Sequence, residues 1–149
     1  MIAVASDAAL LSTHLAATAA MVGLIWFVQV VHYPLFAAVG REEFVPYEMA
    51  HRRRTSVVVG PLMAAEALTA GLLVLAPPAG LGRGLPLAGI GVLGVIHLST
   101  MCLQVPRHAD LSRGYDESTH RRLVRSNWVR TVGWSVRGAM AVAMVLVAS

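Results

Sequence analysis

Four apolar stretches, at roughly 9–35, 56–77, 85–105 and 127–148, alternate with three polar connections along the 149 residues of the chain. Each stretch is near the ~20 residues with which a helix crosses a hydrocarbon core. The pattern therefore predicts an all-α, four-transmembrane-helix bundle and leaves no length for a second domain. Polar residues recur within the stretches at spacings of three, four and seven. His14, Thr18, Gln29 and His32 mark one stripe of the first helix, with Ile25 among them; His97, Thr100, Gln104 and His108 mark the third, and Asn127, Arg130, Trp134 and Arg137 the fourth. Such spacings put each set on one helix face, and in lipid a polar face turns inward. Ala16, Ala20, Gly23, Gly89, Gly91 and Gly94 permit close helix approach. Pro34 ends or bends the first span, Pro61 kinks the second and Pro77-Pro78 closes it. The connections at 40–54 and 116–125 read as short amphipathic surface helices.

Composition strengthens the membrane reading. Residues are 56% hydrophobic and 13% charged, against about 25% charged in soluble domains, and the mean hydropathy is +0.65. Asp7 stands where a cleavable signal would carry basic residues, so the first stretch reads as a retained span. Every basic residue is arginine, and their placement predicts orientation. Arg41, Arg52, Arg53 and Arg54 lie in the first connection, Arg107, Arg113, Arg121, Arg122, Arg125 and Arg130 in or beside the third, and only Arg83 in the second. Arginine near span ends stays cytoplasmic. Connections one and three are thus expected in the cytoplasm and both termini outside, in a bacterial inner (plasma) membrane. The arginines point to anionic lipid, and nucleic acid is not implied. A lone Cys102 excludes an internal disulfide.

One motif occurs twice: Glu48-Met-Ala-His51-Arg52-Arg53 and Glu117-Ser-Thr-His120-Arg121-Arg122, preceded by Gln29-Val-Val-His32 and Gln104-Val-Pro-Arg-His108. Two parallel helical-hairpin repeats follow, related by an axis along the membrane normal. Glu-x-x-His sets both side chains on one helix face, and di-iron carboxylate bundles use two such pairs. Glu48, His51, Glu117 and His120 are accordingly candidate metal ligands, with His32 and His108 nearby. The alternative is a surface network of Glu, His and Arg touching lipid phosphate.

Glu66, His97 and Arg137 fall at similar depth in the bilayer, where a charge costs at least about 2.5–3.5 kcal/mol. A Glu66–Arg137 pair across helices two and four is expected, either fixing helix register or leaving Arg137 to hold a carboxylate or propionate in a cavity. His14 and His97 are candidate haem ligands, a single axial histidine being the easier geometry; interhelical hydrogen bonding is the alternative. No phosphate loop, serine-nucleophile or zinc-protease motif is present.

Several blocks resemble the HemJ-type protoporphyrinogen oxidases, small four-helix membrane proteins that bind haem. They are His14, Trp26-Phe27, Tyr33-Pro34-Leu35-Phe36, Met49 with Arg52-Arg53 before Pro61 and Gly71, and Arg125, Asn127 and Thr131. The resemblance implies His14 as haem ligand and His97 near the family's functional lysine; the repeated Glu-x-x-His-Arg-Arg lies outside that pattern. Together these readings lead to a haem- or metal-binding membrane oxidoreductase with a quinone or porphyrin-like substrate. In it His14 and His97 bind the cofactor, while His97, Glu66 and Arg137 serve catalysis. A two-metal site is the second choice of cofactor. The other class is a cofactor-free bundle that binds a partner protein or anionic lipid through its Arg-rich face. A transport path would require a homo-oligomer.

Overall fold

The computed structural model describes residues 2–148, and side chains from residue 6 to 148. Among these residues there are helices and turns and no strands. Helix α1 (Ile2–Phe27) runs through a π turn (Val28–His32) into the short α2 (Tyr33–Leu35). Next come α3 (Arg41–Leu75) and α4 (Gly84–Ser99), then a second π turn (Thr100–Gln104), α5 (Val105–Leu111) and α6 (Glu117–Ala148). Four helical stretches, Ser6–Ala38, Arg41–Leu75, Gly84–Leu111 and Glu117–Ala148, are long and apolar enough to cross a membrane.

The helices outrun the apolar stretches that announce them. The surface helices expected at 40–54 and 116–125 are continuous with the spans that follow, because no glycine or loop-forming cluster separates them. At 35 residues, α3 is about 52 Å long, well beyond a hydrocarbon core of about 30 Å. It is therefore longer than such a core requires, and its charged residues, with Glu48 and His51 among them, are concentrated in its first turns. Pro46 and Pro61 are both accommodated inside α3.

Each π turn ends two residues before a proline, Pro34 or Pro106. A proline ring strikes the carbonyl four residues back, here that of Val30 or Cys102, and widening the helix relieves the clash. The same widening aims His32 and Gln104 inward. Asp116 caps α6: its Oδ2 accepts from the Thr119 amide and the Ser118 hydroxyl, both at 2.7 Å. These bonds, the Ser118 hydroxyl foremost, hold the Asp116 carboxyl down at about 2. The cap is therefore complete above the ordinary carboxylate range and weakens as pH falls toward 2.

The core is layered. Leu11, Leu73, Leu81 and Met144 form one apolar cluster, and Met21, Ile25, Phe36, Phe44, Ile96 and Trp134 belong to a larger one toward the Arg-rich end. A polar layer, His14, Thr18, Glu66, Thr69 and Arg137, is buried between them along the helices. Outside, the pattern inverts: Val57, Leu68, Leu75, Met101 and Leu146 are each more than two-thirds exposed. A lateral surface of that kind suits lipid better than water.

Candidate metal centre and buried polar layer

Within the polar layer every strong donor has a partner. Glu66 Oε1 accepts from Arg137 Nε at 3.0 Å and Thr18 Oγ1 at 3.1 Å, while Oε2 accepts from Trp134 Nε1 at 2.9 Å. Arg137 Nη2 donates to His14 Nε2 at 3.3 Å. That leaves the proton on His14 Nδ1, which donates to Thr69 Oγ1 at 2.8 Å, and the threonine passes its own to the Ala65 carbonyl at 2.7 Å. The expected Glu66–Arg137 pair is present and ties α3 to α6. His14 belongs to the same network, so both of its nitrogens are engaged. Iron at either would have to displace Thr69 or Arg137 from it, so His14 presents no free lone pair to a haem. His97 lies apart. It is half-buried, and its Nδ1 donates back to Leu93 O of its own helix at 2.8 Å.

A second cluster forms at the Arg-rich end, where three chain segments converge. Glu48 and His51 lie one turn apart on α3, His108 comes from α5, and their ligand atoms all fall within 4.8 Å of one another. His108 Nδ1 donates to Glu48 Oε1 at 2.6 Å, and its Nε2 accepts from the Tyr33 hydroxyl at 2.8 Å. His51 Nδ1 meets His32 Nε2 at 2.8 Å. When that bond carries the His51 proton, His51 Nε2 keeps its lone pair. Glu48 is fully buried, yet its Oε2 has no hydrogen-bond partner. A buried carboxylate oxygen left unpaired is costly. Phe36 packs edge-on against His51 and His108, with ring centroids 5.2 and 6.3 Å away, and walls the group.

The two copies of the Glu-x-x-His motif take different roles. Glu117 is exposed and pairs with Arg121. His120 is buried, donating from Nε2 to the Tyr33 carbonyl at 2.7 Å and accepting at Nδ1 from the Tyr115 hydroxyl at 3.2 Å. It closes the end of α2 and stays outside the ligand group. The cluster is therefore Glu48, His51 and His108, and not the four-residue set of the repeated motif. His108, visible in the sequence only as a neighbour of that motif, is the candidate ligand that α5 contributes. The echo between Gln29-x-x-His32 and Gln104-x-x-x-His108 was its signal.

Beside the cluster lies a cavity of about 310 Å³ between α3 and the third span. His51, His108, Tyr33 and Arg130 line one part of it, and Val59 and Met63 another. Arg130 is positioned by a bridge from the first π turn: Asn127 Nδ2 donates to Gln29 Oε1 at 2.9 Å, and Arg130 Nη1 donates to Asn127 Oδ1 at 3.2 Å. Helical spacing puts Arg130 on an inward stripe but gives no sign of this cavity. Compared with known protein families, curated proteins and solved structures, the chain matches none.

Proposed function

We propose that the protein is an integral membrane metalloprotein that binds one divalent transition-metal ion at Glu48, His51 and His108 and acts as an oxidoreductase on a lipophilic substrate held in the adjoining cavity. The observation that carries the reading is the buried Glu48 Oε2, unpartnered and grouped with two imidazoles. One carboxylate with two histidines is a donor set suited to iron(II) or zinc, and iron there would supply one-electron and dioxygen chemistry. The surrounding residues have matching roles. His32 orients His51 through its second nitrogen, and the Tyr33 hydroxyl does the same for His108. An ion at His108 Nδ1 would require the imidazole proton to sit on Nε2 instead, where the Tyr33 oxygen can accept it. The arginine distribution supports placing this end on the cytoplasmic side of the plasma membrane. The correspondence of the two proline-linked π turns supports an origin by hairpin duplication.

Elemental analysis and oxidised and reduced absorption spectra of the detergent-purified protein test this. Near-stoichiometric iron, lost in His51→Ala and in His108→Ala while the helical content is kept, is the expected result. Zinc alone would retain the centre and remove the redox activity. Protein that neither carries nor takes up either ion would overturn the reading.

A second reading has its own support: Arg53, Arg54, Arg122 and Arg125 are exposed and form no ion pair among the described residues. They suit contact with anionic headgroups, which the metal centre does not exclude.

A further inference from the structure

Arg130 is only 8% exposed, and no carboxylate pairs with it among the described residues. Its neighbours are neutral. Nη1 donates to Asn127, the guanidinium lies 5.3 Å from the Trp134 ring centroid, the Tyr33 hydroxyl is beside it, and Nε has no partner. Arg137, the other buried arginine of the same helix stripe, is by contrast paired with Glu66 and bonded to His14. Arg130 is instead left with an uncompensated charge on the wall of a cavity, an arrangement that favours an anion. Arg52, which forms no ion pair among the described residues, adds a second guanidinium to the lining of the same cavity.

The other walls decide what kind of anion enters. Val59, Met63 and Val105 line the cavity, and Val105 is half-exposed on the outer surface, about one turn after the exposed Met101 and two after the exposed Leu98. Those neighbours belong to the lipid-facing apolar surface, so the route in is from the bilayer. A volume near 310 Å³ is at the small end of ligand sites: it holds a headgroup and the first part of a chain. We infer that the cavity binds the anionic headgroup, carboxylate or phosphate, of a single-chain amphiphile entering from the membrane, with Arg130 as its counter-ion. As a substrate site for the metal centre the cavity rests on the proposed function; as an anion site it stands on Arg130.

Dodecyl phosphate is a suitable probe, titrated against the protein in phosphatidylcholine nanodiscs, with dodecanol and inorganic phosphate as comparators. Saturable binding of one dodecyl phosphate per chain is expected, with much weaker binding of either comparator. Arg130→Gln should weaken it at least about tenfold, the scale of a lost hydrogen bond to a charged group, whereas Arg53→Gln with Arg54→Gln should leave it unchanged. Gly60→Leu should also block it: Gly60 lines the cavity, and a Cβ built there meets nothing within 4 Å, so this variant carries the test if Arg130→Gln does not fold. No binding, equal binding of dodecanol, equal binding of inorganic phosphate, or loss only in the Arg53 and Arg54 variant would each overturn the inference. Metal content measured on the same samples separates the two claims, since Arg130→Gln should keep its metal and His108→Ala should lose it.

Discussion

Glu66 and Arg137 share a depth in the helices, and their pairing was legible from that alone. The third member of the network, His14, was legible as a polar residue on an inward stripe but not as the acceptor for Arg137 Nη2. Burial gives the pair its energetic weight. Removing one member leaves an uncompensated charge, which costs about 3–5 kcal/mol, whereas replacing both by apolar residues of similar volume is often neutral. Glu66→Leu alone should therefore sharply lower the unfolding temperature in detergent, and Glu66→Leu with Arg137→Met should recover most of the loss. Equal destabilisation by the single and double variants would show that the pair does more than hold α3 to α6.

Close approach of α4 to α6 depends on glycine. A Cβ on Gly133 would lie 2.7 Å from Ile96 Cγ1, and one on Gly89 would lie 2.6 Å from Arg137 Nη1. Overpacking of this kind costs about 1–3 kcal/mol. Gly133→Ala should accordingly destabilise the bundle, and Ile96→Val in the same chain should relieve part of the strain; thermal unfolding of the two variants checks it. Of the small residues that the sequence offered for close packing, Gly89 is buried at a helix contact, whereas Ala16, Ala20, Gly23, Gly91 and Gly94 lie on the exposed surface, and Gly133 carried no signal in the sequence. The π turns carried none either. Each arises where a continuing helix meets a proline, and whether a helix ends, kinks or widens there is decided by what the neighbouring helices will hold in place.

Across the whole molecule, the arginines gather at one end, while the connection between α3 and α4 carries only Arg83. If this asymmetry sets orientation, single cysteines introduced in a Cys102→Ala background report it. Ala79→Cys, in the connection after α3, should react with a membrane-impermeant maleimide on intact cells, and Asp110→Cys, at the end of α5, only after lysis. The reverse pattern would invert the assignment and put the Glu48–His51–His108 cluster outside.

Hydropathy and helical spacing by themselves determined an all-helical chain with four segments able to cross a membrane, because burying an uninterrupted apolar run in lipid needs no partner. They also determined the inward faces of α1 and α6, since a charge such as Arg137 has nowhere else to go, whereas on α4 the buried face runs through Gly89, Leu93, Ile96 and Ser99 and leaves His97 half-buried. The tertiary structure alone decided which polar residues meet. Glu48 and His108 are far apart in the chain, and a local motif cannot say that His51 finds His108 while His120 turns to the Tyr33 carbonyl. Identical motifs diverge because a histidine's role is set by the nearest unsatisfied group, and those groups come from other helices. The same holds for Arg130 and Arg137: one stripe on α6 carries both, and Glu66 stands opposite Arg137, while no carboxylate among the described residues pairs with Arg130.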